Sequence, residues 1–201
     1  MRTAPPALLP ILRSQVAGDL LALLFLHPES EYSLTEAAAA IGSSVNAVHH
    51  EASRLAEAGI IKDRKRGNLR LVRAVTDSVL TRPLTDLLAV TYGPLPILRD
   101  ILARVAGVEA AYIYGSWAAR YHGEPGAIPA DVDVIVVGSP VLDDLDDAAE
   151  RAERQLHRPV NIRTIRPESW ADSDPGDPFL RSVRSRPLVS LARPETREDQ
   201  A

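Results

Sequence analysis

Asp131-Val132-Asp133-Val134-Ile135-Val136-Val137-Gly138 is a β-branched apolar run with two carboxylates at its head. Such a run, bounded by a glycine, reads as a buried strand. Side chains alternate along a strand, so Asp131 and Asp133 share one face while Val132 and Val134 point to the core. The two acids then stand about 7 Å apart along the backbone. Upstream, Val108 to Tyr114 reads as another strand and runs straight into Gly115-Ser116-Trp117-Ala118-Ala119-Arg120. Glycine at a strand-to-helix turn lets the main chain approach a phosphate, and the Ser116 hydroxyl with the helix amides offers donors to its oxygens. Two carboxylates on one face can share oxygens between two Mg2+ ions about 4 Å apart that clamp a triphosphate.

Working outward, Ile97 to Val105 reads as a helix before the first strand, and Asp143 to Leu156 as one after the second. The acids Asp143, Asp144, Asp146, Asp147, Glu150 and Glu153 are expected on a solvated face of that helix, enriched in its first turn where the dipole favours them. Arg158 to Ile165 is the natural next strand. Beyond Pro167 the chain reads as irregular, with Phe179, Leu180 and Val183 packing back, Arg186 to Val189 adding an edge segment, and residues 192–201 a disordered tail.

Strand, Gly-Ser, helix, then Asp-x-Asp at the head of an apolar strand resembles the DNA polymerase β-like nucleotidyltransferase superfamily, especially its minimal bacterial members. The likeness covers roughly Leu95 to Arg166. It implies that Gly115 and Ser116 hold a nucleoside triphosphate and that Asp131 and Asp133 are the catalytic pair and ligate Mg2+. Arg120, four residues past Ser116, is a further candidate phosphate contact, with a helix-surface role as the alternative. Active members of that superfamily carry a third carboxylate on a later strand. This chain offers Asn161 and Arg163 there. An amide is a poor general base, and an arginine would compete with the metal or pair with the aspartates; Glu168 and Asp172 are the remaining acids within reach. An active transferase, a nucleotide-binding sensor and an inert scaffold all stay open.

The N-terminal half has a different grammar. Ile11 to Leu26 reads as a helix stopped near Pro28. Ser33-Leu34-Thr35-Glu36 has capping-box spacing and opens a helix through Ile41, with Gly42 as a turn. Ser43 or Ser44 caps a third helix to about Ala58, with Val45, Val48, Ala52, Leu55 and Ala56 along one stripe and Gly59 as its stop. Ile60-Ile61 and Leu69 to Val72 read as strands around Arg64-Lys65-Arg66-Gly67-Asn68, with Gly67-Asn68 as a hairpin turn. Thr76 to Val90 reads as a further helix interrupted near Pro83, and Tyr92-Gly93-Pro94-Leu95-Pro96 as a break between domains. Over roughly Ile11 to Tyr92 this order resembles the arsenical-repressor-like group of bacterial winged-helix regulators. That resemblance implies double-stranded DNA as partner and a homodimer. It places the third helix in the major groove, with Ser44, Asn46, His49, His50 and Arg54 as contacts, and Lys65 and Arg66 of the wing on the backbone or minor groove. A metal site at His49-His50 is disfavoured, since adjacent helical residues point in different directions.

The fold class expected is therefore α+β: a winged helix-turn-helix over residues 1–92, then a small nucleotidyltransferase-like α/β domain with a mixed sheet over 93–191. Composition permits it. The 201 residues are 45% apolar and 25% charged, with 4% aromatics, as in a soluble globular protein. Cysteine is absent, which removes disulfides, thiolate metal sites and thiol catalysis. The longest fully apolar run, Leu20 to Leu26, is far short of the roughly 20 residues of a membrane span, and no secretory signal is read, so a cytoplasmic protein is expected. The net charge of −4 is uneven: six basic residues and one acid lie between Lys62 and Arg73. A local basic cluster in an acidic chain is a placed patch. The expected function is a DNA-binding regulator with a Mg-nucleotide-binding domain. The alternative is an active nucleotidyltransferase that modifies a protein partner, as a toxin antidote among other uses, or a small-molecule hydroxyl.

Overall fold

The computed structural model describes Leu12, residues 14–172 and residues 176–191. The chain divides into two compact units, one ending at Gly93 and the other starting at Pro94. Among the described residues it is mixed α+β with two sheets, the second of them mixed. The start of the first helix at Ile11 and the tail of residues 192–201 lie outside the described residues.

In the N-terminal unit, α1 (Gln15–Leu26) begins where the Ser14 hydroxyl accepts from the Ala17 amide at 3.1 Å. Leu20 and Leu24 are fully buried, and Leu21, Leu23, Phe25 and Leu26 nearly so, because the helix is packed by neighbours on most sides. Then come β1 (Tyr32–Ser33), α2 (Leu34–Ala40), α3 (Val45–Glu57), β2 (Ile61–Arg66), β3 (Leu69–Ala74) and α4 (Thr81–Tyr92). The capping box at Ser33 forms as its spacing predicts: Ser33 Oγ accepts from the Glu36 amide at 3.2 Å, and Glu36 Oε2 accepts from the Ser33 amide at 2.8 Å. The sheet order is β1-β3-β2, all antiparallel. Helix, helix, turn, helix and hairpin, with the short β1 laid on β3, is a winged helix-turn-helix arrangement.

Three expectations in this unit change. The wing strand β2 runs to Arg66, so the basic residues stand in the strand itself and Gly67-Asn68 is the whole loop, with Arg66 opposite Leu69. Gly67 has φ +60° while Asn68 keeps a negative φ, the sign pattern of a II′ turn. Val45 is 45% exposed and leaves the buried stripe to Val48, Ala52 and Leu55, because the first helical position lies at the rim. The last helix starts at Thr81, not Thr76. Pro83 therefore falls in its first turn, where the missing N–H has no intrahelical partner to lose, and it causes no break.

The C-terminal unit opens with α5 (Pro94–Leu102), β4 (Val108–Tyr114) and α6 (Gly115–Tyr121). It continues through β5 (Val132–Gly138), α7 (Leu142–Leu156) and β6 (Val160–Ile165) to α8 (Pro167–Ala171), α9 (Pro178–Arg184) and β7 (Val189–Ser190). The order β6-β5-β4-β7 joins β5 to β6 in parallel and the other neighbours antiparallel. Val132, Val134 and Val136 are fully buried on one side of the sheet, as alternation requires. α7 buries Leu145, Ala148, Ala152 and Leu156 at helical spacing and turns most of its acids to solvent. The opposite side carries Ile135, Val137 and Ile165, covered by Leu180 and Val183 and by Trp170, Phe179 and Leu188. The stretch after Pro167 is thus not irregular. Pro167 and Pro178 each occupy the first position of a short helix, where proline's fixed φ is already helical, and Asp177 caps the second. Among the described residues no helix is long and apolar enough to cross a membrane.

Candidate functional site

The carboxylate pair is positioned by register. Asp133 of β5 lies between Tyr114 of β4 and Asn161 of β6, so the end of one strand and the heads of two others meet there. Gly115 follows at once, with φ +68°, and a Cβ on it would lie 3.0 Å from Asp133 Oδ2. An L side chain there would be strained by that conformation and would press on that carboxylate. Ser116 is exposed beside it. Asp131, just ahead of β5, and Asp133 face the same side, as their spacing predicts. Burial pushes the Tyr114 hydroxyl up, and the negative charge of Asp133 adds to it.

Asn161 closes the arrangement. Its Nδ2 donates to Asp131 Oδ2 and to Asp133 Oδ1, both at 3.1 Å. The two carboxylates converge on one nitrogen. A Mg2+ ion bridging the pair would need that place, and an amide N–H cannot ligate a cation. As arranged, then, the donor set does not fit the metal cluster that the sequence resemblance implies. Neither Glu168 nor Asp172 completes it: no group of three or more His, Asp or Glu side chains is placed to hold a metal among the described residues. Arg163 does not pair with the aspartates either. Its guanidinium lies 4.0 Å from the Phe179 ring centroid, and Phe179 meets Tyr114 edge-on at 5.8 Å. An aromatic face holds a cation well where water is partly excluded.

Arg120 turns to the following loop, donating to the Gly126 carbonyl at 3.1 Å. The end of that loop is fixed by Arg158, a residue that periodicity could not single out. It is 8% exposed, donates to the Pro129 carbonyl and lies 5.2 Å from the buried Trp117 ring. A cavity of about 360 Å³ beside β6 is lined by Arg163, Arg166, Ser169, Asp172 and Phe179 among others, and neither Asp131 nor Asp133 reaches it.

The second candidate surface is the helix-turn-helix and wing. Asn46, His49, His50 and Arg54 are exposed on α3. The His49 and His50 rings meet edge-on at 6.0 Å, closer company than the helical angle between neighbours suggested. Ser44 caps the helix, its hydroxyl accepting from the Ala47 amide at 3.2 Å. Arg54 is paired with Glu51, Nε to Oε2 at 3.0 Å, so the one cation of this face is largely neutralised. The wing sorts its own charges in the same way. Lys62 pairs with Asp77 at 3.0 Å, Arg64 with Glu31, and Arg70 with Asp63 at 2.8 Å while reaching Ser53 of α3 at 2.8 Å. The Glu31 and Asp77 carboxyls are held below their ordinary range, first by these hydrogen bonds. Among the described residues Lys65, Arg66 and Arg73 make no ion pair. Lys65 and Arg66 stand at the hairpin tip.

No family model and no curated protein matches this chain. Among solved structures it is similar to reduced HlyU from Vibrio cholerae N16961, at 20% identity and a TM-score of 0.34 over 41% of this chain and 81% of that one. It is similar to the AntR antimony-specific transcriptional repressor, at 23% identity and 0.33 over 43% and 81%. A third likeness is to NolR from Sinorhizobium fredii, at 20% identity and 0.29 over 46% and 98%.

Proposed function

We propose that this protein is a DNA-binding regulator that docks on duplex DNA through its wing, with a C-terminal unit that senses a ligand. The observation that supports this most is the charge accounting of the hairpin. Of its six basic residues, Lys62, Arg64 and Arg70 are paired with acids of the same unit. Among the described residues Lys65, Arg66 and Arg73 make no ion pair, and of these Lys65 and Arg66 stand at the tip, where an outside anion can reach them. Phosphate backbones are the polyanions a hairpin tip next to an exposed helix face can track. Asn46, His49 and His50 on that helix supply hydrogen-bonding groups suited to base edges. Ser44 and Arg54 have internal partners and contribute less.

The C-terminal unit is proposed to bind a nucleoside triphosphate along Gly115 and Ser116, the ligand class its sequence resembles, in a sensing role. Nucleotidyl transfer is the weaker reading, because the place of a third carboxylate is taken by Asn161. A homodimer is proposed through α4, whose Pro83, Leu87 and Val90 form an exposed stripe at helical spacing, continued by Leu80 and Val79.

A gel-shift on duplex DNA tests the first claim. The double variant Lys65→Ala/Arg66→Ala should lose binding, while Lys62→Ala, whose charge is already paired, should keep most of it. Unchanged binding by the double variant removes the wing from the interface.

A further inference from the structure

We infer that the Asn161 amide is a built-in substitute for a divalent cation, so that the Asp131–Asp133 pair is held together in this protein without metal. The inference does not depend on the DNA-binding reading. Two carboxylates on one strand face, each with an oxygen aimed at a common point, repel unless something positive sits between them. Here that something is one NH2 group, with one hydrogen for each carboxylate, at 3.1 Å from Asp131 Oδ2 and 3.1 Å from Asp133 Oδ1. The bond to each acid is charge-assisted.

Register supplies the rest. Asn161 is the residue directly across from Asp133 in the parallel β5–β6 pair, so its side chain leaves the sheet on the same face at the nearest neighbouring position. Turning the amide over would put Oδ1 against two negative charges. The N–H-inward orientation is thus set by the carboxylates themselves. Arg163, two residues along β6 on the same face, is held over Phe179 and does not take over the task.

Asn and Asp have nearly the same shape, and the difference between them decides what the point between the acids can hold. With Asn161 the site presents two N–H donors to two carboxylates and is complete. With aspartate at 161 it would present three carboxylates to one another, an arrangement that only a cation completes. The amide therefore sets the metal preference of this unit.

The test uses the full-length chain and Mn2+ as probe, its binding read by the loss of the free-ion electron paramagnetic resonance signal. Asn161→Asp should bind one Mn2+ per chain at least tenfold more tightly than the wild type. Adding Asp131→Asn to Asn161→Asp restores two carboxylates and one amide and should return affinity to the wild-type level. A wild type that binds Mn2+ within threefold of Asn161→Asp, or an Asn161→Asp chain with no gain, overturns the inference. Folding is followed in parallel, since both tryptophans, Trp117 and Trp170, lie in the C-terminal unit and report on it alone. Should Asn161→Asp lose its cooperative tryptophan transition without metal, Mn2+ should restore it. Failure to restore it counts equally against the inference.

Discussion

At Gly115 a single hydrogen atom in place of a side chain lets the main chain turn, at φ +68°, against the Asp133 carboxylate. Gly115→Ala meets two penalties, a left-handed conformation worth about 1–2 kcal/mol for an L residue and a methyl 3.0 Å from Asp133 Oδ2. The C-terminal unit should lose stability by at least the first of these, read as a lower denaturant midpoint of tryptophan fluorescence. An unchanged midpoint would mean that the turn is not built as described. Arg158 is the second residue whose role is visible only in three dimensions. Its guanidinium joins the Pro129 carbonyl to the Trp117 ring from a nearly buried position. Arg158→Ala removes a charge-assisted hydrogen bond of about 1.5–3 kcal/mol and the cation–π contact with it. The same fluorescence transition should fall, and backbone amides of residues 122–131 should exchange faster with solvent. Slow exchange in the variant would show that the loop is fixed by something else.

Among the elements, the α1–α4 contact is the one whose energetics run against general expectation. Gly18 sits inside α1, where alanine ordinarily stabilises a helix by about 0.5–1 kcal/mol. Here a Cβ would lie 1.9 Å from the Tyr92 hydroxyl oxygen and 2.5 Å from the ring carbon bearing it. Overpacking of this kind costs about 1–3 kcal/mol, so Gly18→Ala should lower the midpoint of the helical circular-dichroism transition. Burial, and then the charge of Asp19, pushes the Tyr92 hydroxyl from 10.0 up to about 12. The folded state thus favours the neutral phenol. Its contribution is fully present below pH 10 and is lost as pH rises toward 12. The N-terminal unit should weaken over that window, and Tyr92→Phe should weaken less steeply; parallel pH profiles for the two chains would contradict the packing described. Elements of this kind were legible in sequence to the extent that they carried a local signature. The Ser33–Glu36 box, the buried stripe of Val48, Ala52 and Leu55 and the valines of β5 each did, through a cap or a period. β1 was not legible, because two residues have no period. Neither were α8 and α9, which lie in the stretch after Pro167 that reads as irregular, because each is a short helix opened by a proline at its first position. Asp131 and Asp133 could be placed on one face by alternation alone. That Asn161 bridges them needed the register of β6 against β5, which no local pattern encodes.

For the molecule as a whole, the proposed assembly rests on the stripe along α4, where Leu87 is 46% and Val90 53% exposed. Leu87→Glu/Val90→Glu should convert a dimer to a monomer by light scattering and weaken DNA binding with it; a wild type that is monomeric at micromolar concentration contradicts the assembly. Acid should loosen the N-terminal unit. Glu31, Glu36 and Asp77 are held below their ordinary range by hydrogen bonds, so their contribution is present above the unfolded carboxylate range and is lost as pH falls below that range and through their lowered folded values. The central claim, that Lys65 and Arg66 meet the DNA backbone, is tested most directly by salt. Each phosphate contact adds about 0.9 to the slope of log K against log salt. Lys65→Ala/Arg66→Ala should therefore flatten the slope for duplex DNA by about 2 relative to the wild type, and by the same amount on unrelated sequences. A double variant whose slope equals that of the wild type would contradict the account.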